Sequence, residues 1–282
     1  MAQLTEKCGV FGIYAPKCDV ARITHAGLWS LQHRGQEGTG IAVSDGEQIS
    51  IKKNLGLVTQ VYTEKDLQRL TGHIAIGHNR YSTSGGLSIE HVQPVLRHTK
   101  QIALAHNGNL PDTSALEVFL HSLGVATQGS NDSEMITDAI SYYLTKGKSI
   151  EQSVKKIFPH LIGAFSLIIL TKDKLVAIRD AHGLRPLCVG MMSGGHVFSS
   201  ENCVFPIIGA EFLREVKPGE MIVISKKGLK SIQLAAGKEM LDIFEFVYFA
   251  RADTSFMGKR VNEVRKNFGR DLAKESPVPN AD

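Results

Sequence analysis

The sequence predicts an α+β fold built mainly from antiparallel sheets. Strand patterns dominate the N-terminal part, helical patterns follow between about residues 113 and 157, and strand patterns return after residue 163. Because strands and helices come in separate blocks and do not alternate, a parallel Rossmann-type sheet is not expected. The 282 residues, of which 43% are hydrophobic, are enough for a sizeable buried core.

The first predicted elements are a strand, a helix and a hairpin. The apolar run CGVFGIY predicts a strand over residues 8–14. Asp19 is expected to cap a helix that ends near Gly35, a candidate left-handed C-cap. Residues 40–53 predict a hairpin that turns at residues 44–46. Short strands are expected next, at residues 73–78 and 101–105.

Three helices and a second group of strands follow. Asp112 is expected to cap a helix over residues 113–123, and Asp132 to lie at the N-cap of a helix over residues 133–146. A third, amphipathic helix covers residues 149–157. Strands are then predicted at residues 163–170, 174–179, 186–191, 195–200 and 219–225.

The composition changes after about residue 235. Residues 244–253 are rich in aromatic side chains, and Val261, Val264, Phe268 and Leu272 fit one face of a basic amphipathic helix. A new strand–helix unit is therefore expected to begin here, with nothing after it to pack against. Either the chain is a fragment of a longer protein or this segment is a docking arm.

Charge and cysteine content narrow the class of protein. The net charge of +4 is spread along the chain, which mildly favours small anionic partners and argues against nucleic acid. The four cysteines have no C-x-x-C spacing, so no metal site is predicted and reduced thiols in the cytoplasm are expected. The longest apolar stretch, LIGAFSLIIL, is too short to span a membrane.

Four glycine-rich polar segments interrupt the predicted strands and helices: LQHRGQEGTG, GHNRYSTSG, AHNGNL and GSNDSE. Arg80 follows an apolar strand and is suited to bidentate capture of a carboxylate, although a solvated arginine or a local ion pair fits as well. Asp132 is either a simple helix cap or an anchor for a substrate ammonium group. An amino-acid substrate needs both kinds of group, one at each end.

The segment AHNGNL pairs an asparagine with a glycine at a strand end. Asn107 and Gly108 can present a side-chain amide and a backbone N–H side by side, as an oxyanion hole requires. A plain Asn-Gly turn is the alternative interpretation.

Cys8 poses the main question of the sequence. A thiol in an apolar strand is usually a core residue. At a chain terminus, however, the α-amino group has a pKa of about 7.7–8.0 and can act as the general base for its own thiol. Seven residues, MAQLTEK, precede Cys8, so this role requires cleavage between Lys7 and Cys8. Residues 1–7 are therefore a predicted leader.

These segments together resemble one enzyme family. CGVFGI, LQHRGQEGTG, GHNRYSTSG, AHNGNL, NDSE, RDAHGLRPL and FEFVYFARADT occur in the order typical of amidophosphoribosyltransferases. The resemblance implies a four-layer αββα sandwich of the N-terminal-nucleophile type, the fold of class II glutamine amidotransferases. It also implies a glutaminase domain over residues 8–235, and a linker with the incomplete start of a phosphoribosyltransferase domain over residues 236–282.

The resemblance implies roles for eight residues. Three are implied in catalysis, Cys8 as the nucleophile and an oxyanion hole from Asn107 and Gly108. Five are implied in or near the glutamine site: Arg80 for the α-carboxylate with Thr83 nearby, Asp132 for the α-amino group, and Arg34 and Gly35 in the loop beside the nucleophile. No metal ligand is implied among them.

The sequence departs from the family in two ways. It lacks the acidic pair and Gly/Thr-rich phosphate loop of the phosphoribosyltransferase domain, which the resemblance enters at about Phe249. Phosphoribosylpyrophosphate and Mg²⁺ are therefore expected only in a full-length enzyme, which the family implies is a dimer or tetramer. Asp242 stands where some members have an iron–sulfur ligand, so no cluster is expected.

The expected function is the glutaminase half of the first committed step of purine biosynthesis. Glutamine would be hydrolysed, and the ammonia would pass to phosphoribosylpyrophosphate only in the full-length enzyme. Two alternatives remain: an unprocessed, non-catalytic fragment, or a glutaminase domain that serves another acceptor. The motif RDAHGLRPL argues against the second alternative.

Overall fold

Two antiparallel sheets lie face to face in the structure, a computed structural model that describes residues 8–81, 88–97 and 102–278. The strands, in chain order, are β1 (Gly9–Tyr14), β2 (Gly38–Ser44), β3 (Ile49–Leu55), β4 (Ile74–Arg80), β5 (Val95–Arg97), β6 (Ile102–Asn109), β7 (Ala164–Leu170), β8 (Leu175–Arg179), β9 (Cys188–Met192), β10 (Gly195–Ser199), β11 (Glu211–Glu215), β12 (Glu220–Ser225), β13 (Gly228–Gln233), β14 (Ser255–Phe256) and β15 (Lys259–Arg260).

Helices cover the outer faces of the two sheets, except for the last one, which lies in the C-terminal segment. They are α1 (Val20–Ser30), α2 (Val58–Val61), α3 (Glu64–Arg69), α4 (Ser114–Ser122), α5 (Asp132–Thr145), α6 (Ile150–Ile157), α7 (Val204–Ile207) and α8 (Val261–Glu275). Short 3₁₀ turns occur at Gln32–Arg34, Ile89–His91 and Phe158–His160, and a π-helical turn at Glu245–Phe249.

The first sheet has the order β11-β9-β10-β1-β4-β2-β3 and the second the order β13-β12-β8-β7-β6-β5. Side chains alternate between the two faces of each strand, so each sheet contributes to two core layers. On β1, Val10 and Tyr14 face the second sheet, whereas Phe11 and Ile13 pack beneath α1. The second sheet likewise packs its outer face on α4, α5 and α6. The predicted α+β class and the four-layer αββα arrangement are confirmed.

The C-terminal segment forms a small cluster of its own. The β14–β15 hairpin, the turn Glu245–Phe249 and α8 enclose Phe246, Ala250, Phe256 and Val261. Farther along α8, Leu272 is 62% exposed. The predicted amphipathic helix therefore exists, with its later apolar positions open to solvent.

The predicted C-terminal end of α1 and the predicted N-caps of α4 and α5 were wrong, and α4 begins after Thr113 and not after Asp112. Helix α1 ends at Ser30, and Gly35 is extended with φ −170°, so it is not a left-handed cap. Asn131, rather than Asp132, is the N-cap of α5, because its side chain accepts a hydrogen bond from the backbone N–H of Glu134 at 3.0 Å. In return, Glu134 accepts from the N–H of Asn131, which completes a capping box.

Candidate active site

A cavity of about 210 Å³ opens where the N-terminus of β1, the C-terminus of β4 and the start of α5 meet. Its lining is polar and brings together three residues predicted from the sequence, Cys8, Arg80 and Asp132. The lining also includes His78, Tyr81, His91, Gln93, His106, Asn131 and Ser133.

Cys8 lies immediately before β1 and is 6% exposed. Strand β1 pairs with β4 in a register that sets Gly9 opposite Asn79, so extending it by one residue sets Cys8 beside Arg80. The same alternation places Cys8 on the face of β1 that carries Val10 and looks toward the second sheet. Its Sγ lies 4.0 Å from the carbonyl oxygen of Tyr81. The thiol is thus part of the cavity wall as well as largely buried.

Arg80 ends β4, and the backbone of the adjoining 3₁₀ turn fixes its side chain. One terminal nitrogen, Nη1, donates to the carbonyl oxygen of His91 at 2.8 Å. The nearest carboxylate oxygen of Glu37 is 3.9 Å from Nε, at the outer limit of an ion pair. The local ion pair considered from the sequence is thus a long one, and the guanidinium lines the cavity.

Asp132 occupies the first turn of α5, but Asn131 performs the capping. Its Oδ1 accepts from the N–H of Ser133 at 2.6 Å, and its Oδ2 accepts from the N–H of Leu110 at 3.2 Å. These bonds hold the carboxylate at the cavity wall. A negative charge in the first turn of a helix is also stabilised by the helix dipole. The cap interpretation of Asp132 is therefore replaced by a carboxylate fixed at the site.

Asn107 and Gly108 lie within β6, opposite Ser166 and Phe165 of β7, and so do not form a turn. Asn107 shares the face of β6 that carries Ala103 and Ala105, which looks toward the first sheet. The side chain is fully buried, and neither amide atom has a hydrogen-bond partner among the described residues. A buried amide of this kind is costly unless a ligand or solvent satisfies it.

Gly108 could not be replaced by another residue without distortion. Its φ is 149°, and a Cβ there would lie 2.0 Å from the carbonyl oxygen of Ala164. Neither Asn107 nor Gly108 is among the residues that line the cavity, although the neighbouring His106 is.

Arg34 and Gly35 also lie outside the cavity lining. The Arg34 side chain is 1% exposed and turns into the protein, where Nε donates to the carbonyl oxygen of Cys8 at 3.2 Å. Gly35 packs against the end of β4, and a Cβ there would lie 2.5 Å from the carbonyl carbon of Arg80. Both residues thus support the residues that line the cavity. Thr83 lies outside the described residues.

The sequence reasoning missed a histidine network at the cavity wall. His106 Nδ1 lies 3.0 Å from Oγ of Ser133, which in turn donates to Oδ1 of Asp132 at 3.2 Å. Burial lowers the pKa of His106 and lowers that of His78 to about 3, so both rings are neutral near pH 7. The signal was present in the segments GHNR and AHNG, where each histidine precedes a predicted site residue by one or two positions.

No group of three or more His, Cys, Asp or Glu side chains in residues 8–81, 88–97 and 102–278 could hold a metal ion. Within those same ranges, the longest and most apolar helices are too short or too polar to cross a bilayer. Asp242 pairs with Nη1 of Arg185 at 3.1 Å.

Comparison with known proteins agrees with this geometry. Residues 78–205 match the family model of a glutamine amidotransferase domain. An amidophosphoribosyltransferase of Mycobacterium bovis is 42% identical over 280 residues. The chain is a homologue of amidophosphoribosyltransferases over nearly its whole length. The alignment covers 97% of this chain and 53% of the relative, so the chain spans about half the length of such relatives.

Two solved structures of the family share the fold closely. The allosteric regulatory enzyme of purine biosynthesis matches with a TM-score of 0.89 and 40% identity, over 96% of this chain and 58% of that one. The glutamine phosphoribosylpyrophosphate amidotransferase of Bacillus subtilis, complexed with ADP and GMP, matches with a TM-score of 0.87 and 40% identity, over 96% and 59%. The N-terminal-nucleophile type of αββα fold follows from these matches.

Proposed function

We propose that this chain hydrolyses the side-chain amide of glutamine, with Cys8 as the nucleophile. The observation that carries the proposal is that one cavity is lined by a thiol, a guanidinium and a carboxylate, from Cys8, Arg80 and Asp132. Arg80 would bind the α-carboxylate of glutamine, and Asp132 its α-ammonium group. A free amino acid satisfies both charges, and its side chain is left to reach the thiol.

The reaction needs a base, and the α-amino group of Cys8 supplies it once the bond to Lys7 is cleaved. The sulfur attacks the amide carbon while its proton passes to the amine, directly or through one water. The tetrahedral intermediate collapses, the C–N bond breaks, and the leaving nitrogen takes the proton and departs as ammonia. Water then hydrolyses the thioester, which gives glutamate and restores the thiol.

Negative charge develops on the amide oxygen during this attack, and we assign its stabilisation to Asn107 and Gly108. On β6, the N–H groups of His106 and Leu110 point away from β7, because they bond to the side chains of Gln93 and Asp132. Alternation along an antiparallel strand directs the N–H of Gly108 to the same side. The buried amide of Asn107, with no partner among the described residues, supplies the second donor.

We further propose that the ammonia serves phosphoribosylpyrophosphate, in the first committed step of purine biosynthesis. The support is homology to amidophosphoribosyltransferases and the names of the relatives, one of which is a glutamine phosphoribosylpyrophosphate amidotransferase. Glutaminase activity alone is expected of these 282 residues.

We also propose that the protein is cytoplasmic, forms a homo-oligomer at full length and carries no iron–sulfur cluster. The last point is supported by Asp242, which the sequence resemblance places where some relatives have a cluster ligand and which instead forms an ion pair with Arg185.

The test is the intact mass of the purified protein combined with a glutaminase assay on the same sample. Loss of residues 1–7 together with glutamate release supports the proposal, and Cys8→Ser should abolish the activity while the fold is retained. The control is Cys18→Ser, which changes a partly exposed thiol outside the cavity lining. A chain that begins at Cys8, is folded and releases no glutamate would support the non-catalytic alternative.

A further inference from the structure

A buried ion cluster connects the C-terminal segment to the backbone of Cys8. Nη1 and Nη2 of Arg34 donate to the carboxylate of Glu245 at 2.9 and 2.6 Å, and Nη1 also donates to Glu201 at 2.6 Å. The side chains of both glutamates are fully buried. The third nitrogen of Arg34, Nε, donates to the carbonyl oxygen of Cys8 at 3.2 Å.

The same cluster takes two more groups from the C-terminal segment. Oε2 of Glu201 accepts from the N–H of Arg251 at 3.0 Å and from the hydroxyl of Thr254 at 2.6 Å. Burial disfavours the charged form of Glu201, but the charge of Arg34, the contact with His33 Nε2 at 2.7 Å and the bond from Thr254 together lower the pKa of the carboxyl group. The segment after residue 244 is therefore an integral part of the charge balance around Arg34.

We infer that Glu245 is a positioning residue for the nucleophile. It acts through Arg34, which its carboxylate holds in a bidentate pair, and Arg34 in turn fixes the carbonyl group of Cys8. A guanidinium shared between two buried carboxylates has a single favourable orientation, and here that orientation aims Nε at Cys8. Glutamine hydrolysis would thus depend on a residue that is 211 positions from Arg34 and outside the two sheets.

The catalytic part of this inference rests on the proposed function. One electrostatic consequence can be measured whether or not the chain hydrolyses glutamine. Removing the negative charge of Glu245 leaves the charge of Arg34 less neutralised beside Cys8. The Cys8 thiolate should then form at lower pH, by about half a pH unit. Removal of a carboxylate that does not pair with Arg34 should not shift this titration.

The test compares Glu245→Gln with Glu239→Gln. Glu239 lies in the same segment and pairs at 3.0 Å with another fully buried arginine, Arg179. The hydrogen bonds of Arg179 go to the carbonyl oxygens of Arg185, Val216 and Gly183. For Glu245→Gln we expect kcat to fall about tenfold with KM within about twofold, because the sulfur is misplaced while the glutamine contacts remain. The control should keep both constants.

The second readout is the pH dependence of Cys8 alkylation by iodoacetamide, followed by mass spectrometry with Cys18 as the internal reference. The midpoint for Cys8 should fall in Glu245→Gln alone. Glu245→Asp keeps the charge but shortens the reach, so its kcat should fall while its midpoint stays. If both glutamine variants behave alike in kcat and midpoint, the inference is wrong. If the wild type releases no glutamate, the proposed function fails, and the midpoint still decides the role of Glu245.

Discussion

Nε2 of His78, on β4, donates a hydrogen bond of 3.1 Å to the carbonyl oxygen of His106, on β6. The bond joins the two sheets at the wall of the cavity, since both histidines line it. It also fixes the tautomer of His78, because a carbonyl oxygen can only accept. The other nitrogen, Nδ1, is buried and without a partner among the described residues. A second proton on this ring would therefore be a buried and poorly solvated charge.

The first prediction is that His78 makes the fold sensitive to acid. Burial lowers its pKa in the folded state to about 3, below its ordinary value of 6.5. The unfolded chain then binds more protons than the folded one between these two pH values. The contribution of His78 to the free energy of unfolding is therefore fully present above about pH 6.5 and is lost as the pH falls toward 3. Each pH unit in this window should cost up to about 1.4 kcal/mol from this one group.

Urea unfolding at pH 7, 6 and 5 measures this slope. His78→Gln keeps a side-chain donor but cannot titrate, and it should show a shallower decline than the wild type. His121→Gln is the control, because His121 is exposed on α4 and is not part of the cavity lining. Equal slopes for the wild type and His78→Gln would contradict the prediction.

The second prediction concerns Asn107, whose amide is expected to matter for catalysis and little for folding. Its buried amide has no partner to lose among the described residues, so Asn107→Ala should not unfold the chain. Loss of an oxyanion donor should lower kcat about 10²–10³-fold with little change in KM. Steady-state glutaminase kinetics and a thermal melt on the same sample measure both effects.

Asn79 provides the matched control for Asn107. It is also a fully buried strand asparagine, but its Nδ2 donates to the carbonyl oxygen of Leu28 at 2.7 Å. Asn79→Ala should therefore cost about 0.5–1.5 kcal/mol of stability, since it removes a buried hydrogen bond and leaves the Leu28 oxygen with the N–H of Leu31 as its partner. A melt in which Asn107→Ala is the less stable variant would argue against an amide reserved for a ligand.

The order of elements and the charged ends of the site could be predicted from local sequence. Strand and helix patterns follow from periodicities of two and 3.6 residues, which each segment carries by itself. Cys8, Arg80 and Asp132 could be grouped because an amino-acid substrate needs a carboxylate partner and an ammonium partner. The edge strand β13 was missed, because its exposed sequence GLKSIQ has almost no buried face and so no clear alternation.

The remaining features depend on contacts between distant residues. The bond from Arg34 to Glu245 joins positions 211 apart, and no local pattern reports it. The N-cap of α5 was misplaced for a different reason. Asn131 and Asp132 are adjacent and both are good caps, so only the observed bond from Asn131 to Glu134 decides between them.

The third prediction is that Asp132 binds substrate and is not needed for helix α5. Asp132→Asn should raise KM for glutamine at least tenfold, because a neutral amide is a poor partner for an ammonium group. kcat should change less, and the melting temperature should stay close to the wild-type value, since Asn131 supplies the cap.

The comparison variant for Asp132 is Ser149→Ala. Ser149 caps α6 through a bond to the N–H of Gln152 and is not part of the cavity lining. Its loss should cost about 1 kcal/mol of stability and leave KM unchanged. An unchanged KM in Asp132→Asn would remove Asp132 from the binding site.

The fourth prediction is that Gly35 maintains the position of Arg80. A Cβ at residue 35 would lie 2.5 Å from the carbonyl carbon and 2.6 Å from the carbonyl oxygen of Arg80, so Gly35→Ala must move the end of β4. Arg80 would then bind the substrate carboxylate poorly, and KM should rise. The overpacking should also cost about 1–3 kcal/mol.

Gly269→Ala is the control, because nothing lies within 4 Å of a Cβ there and its helical position favours alanine. That variant should keep the wild-type KM and be as stable as the wild type or more so. A Gly35→Ala protein with normal KM and normal stability would show that the loop can shift without disturbing Arg80.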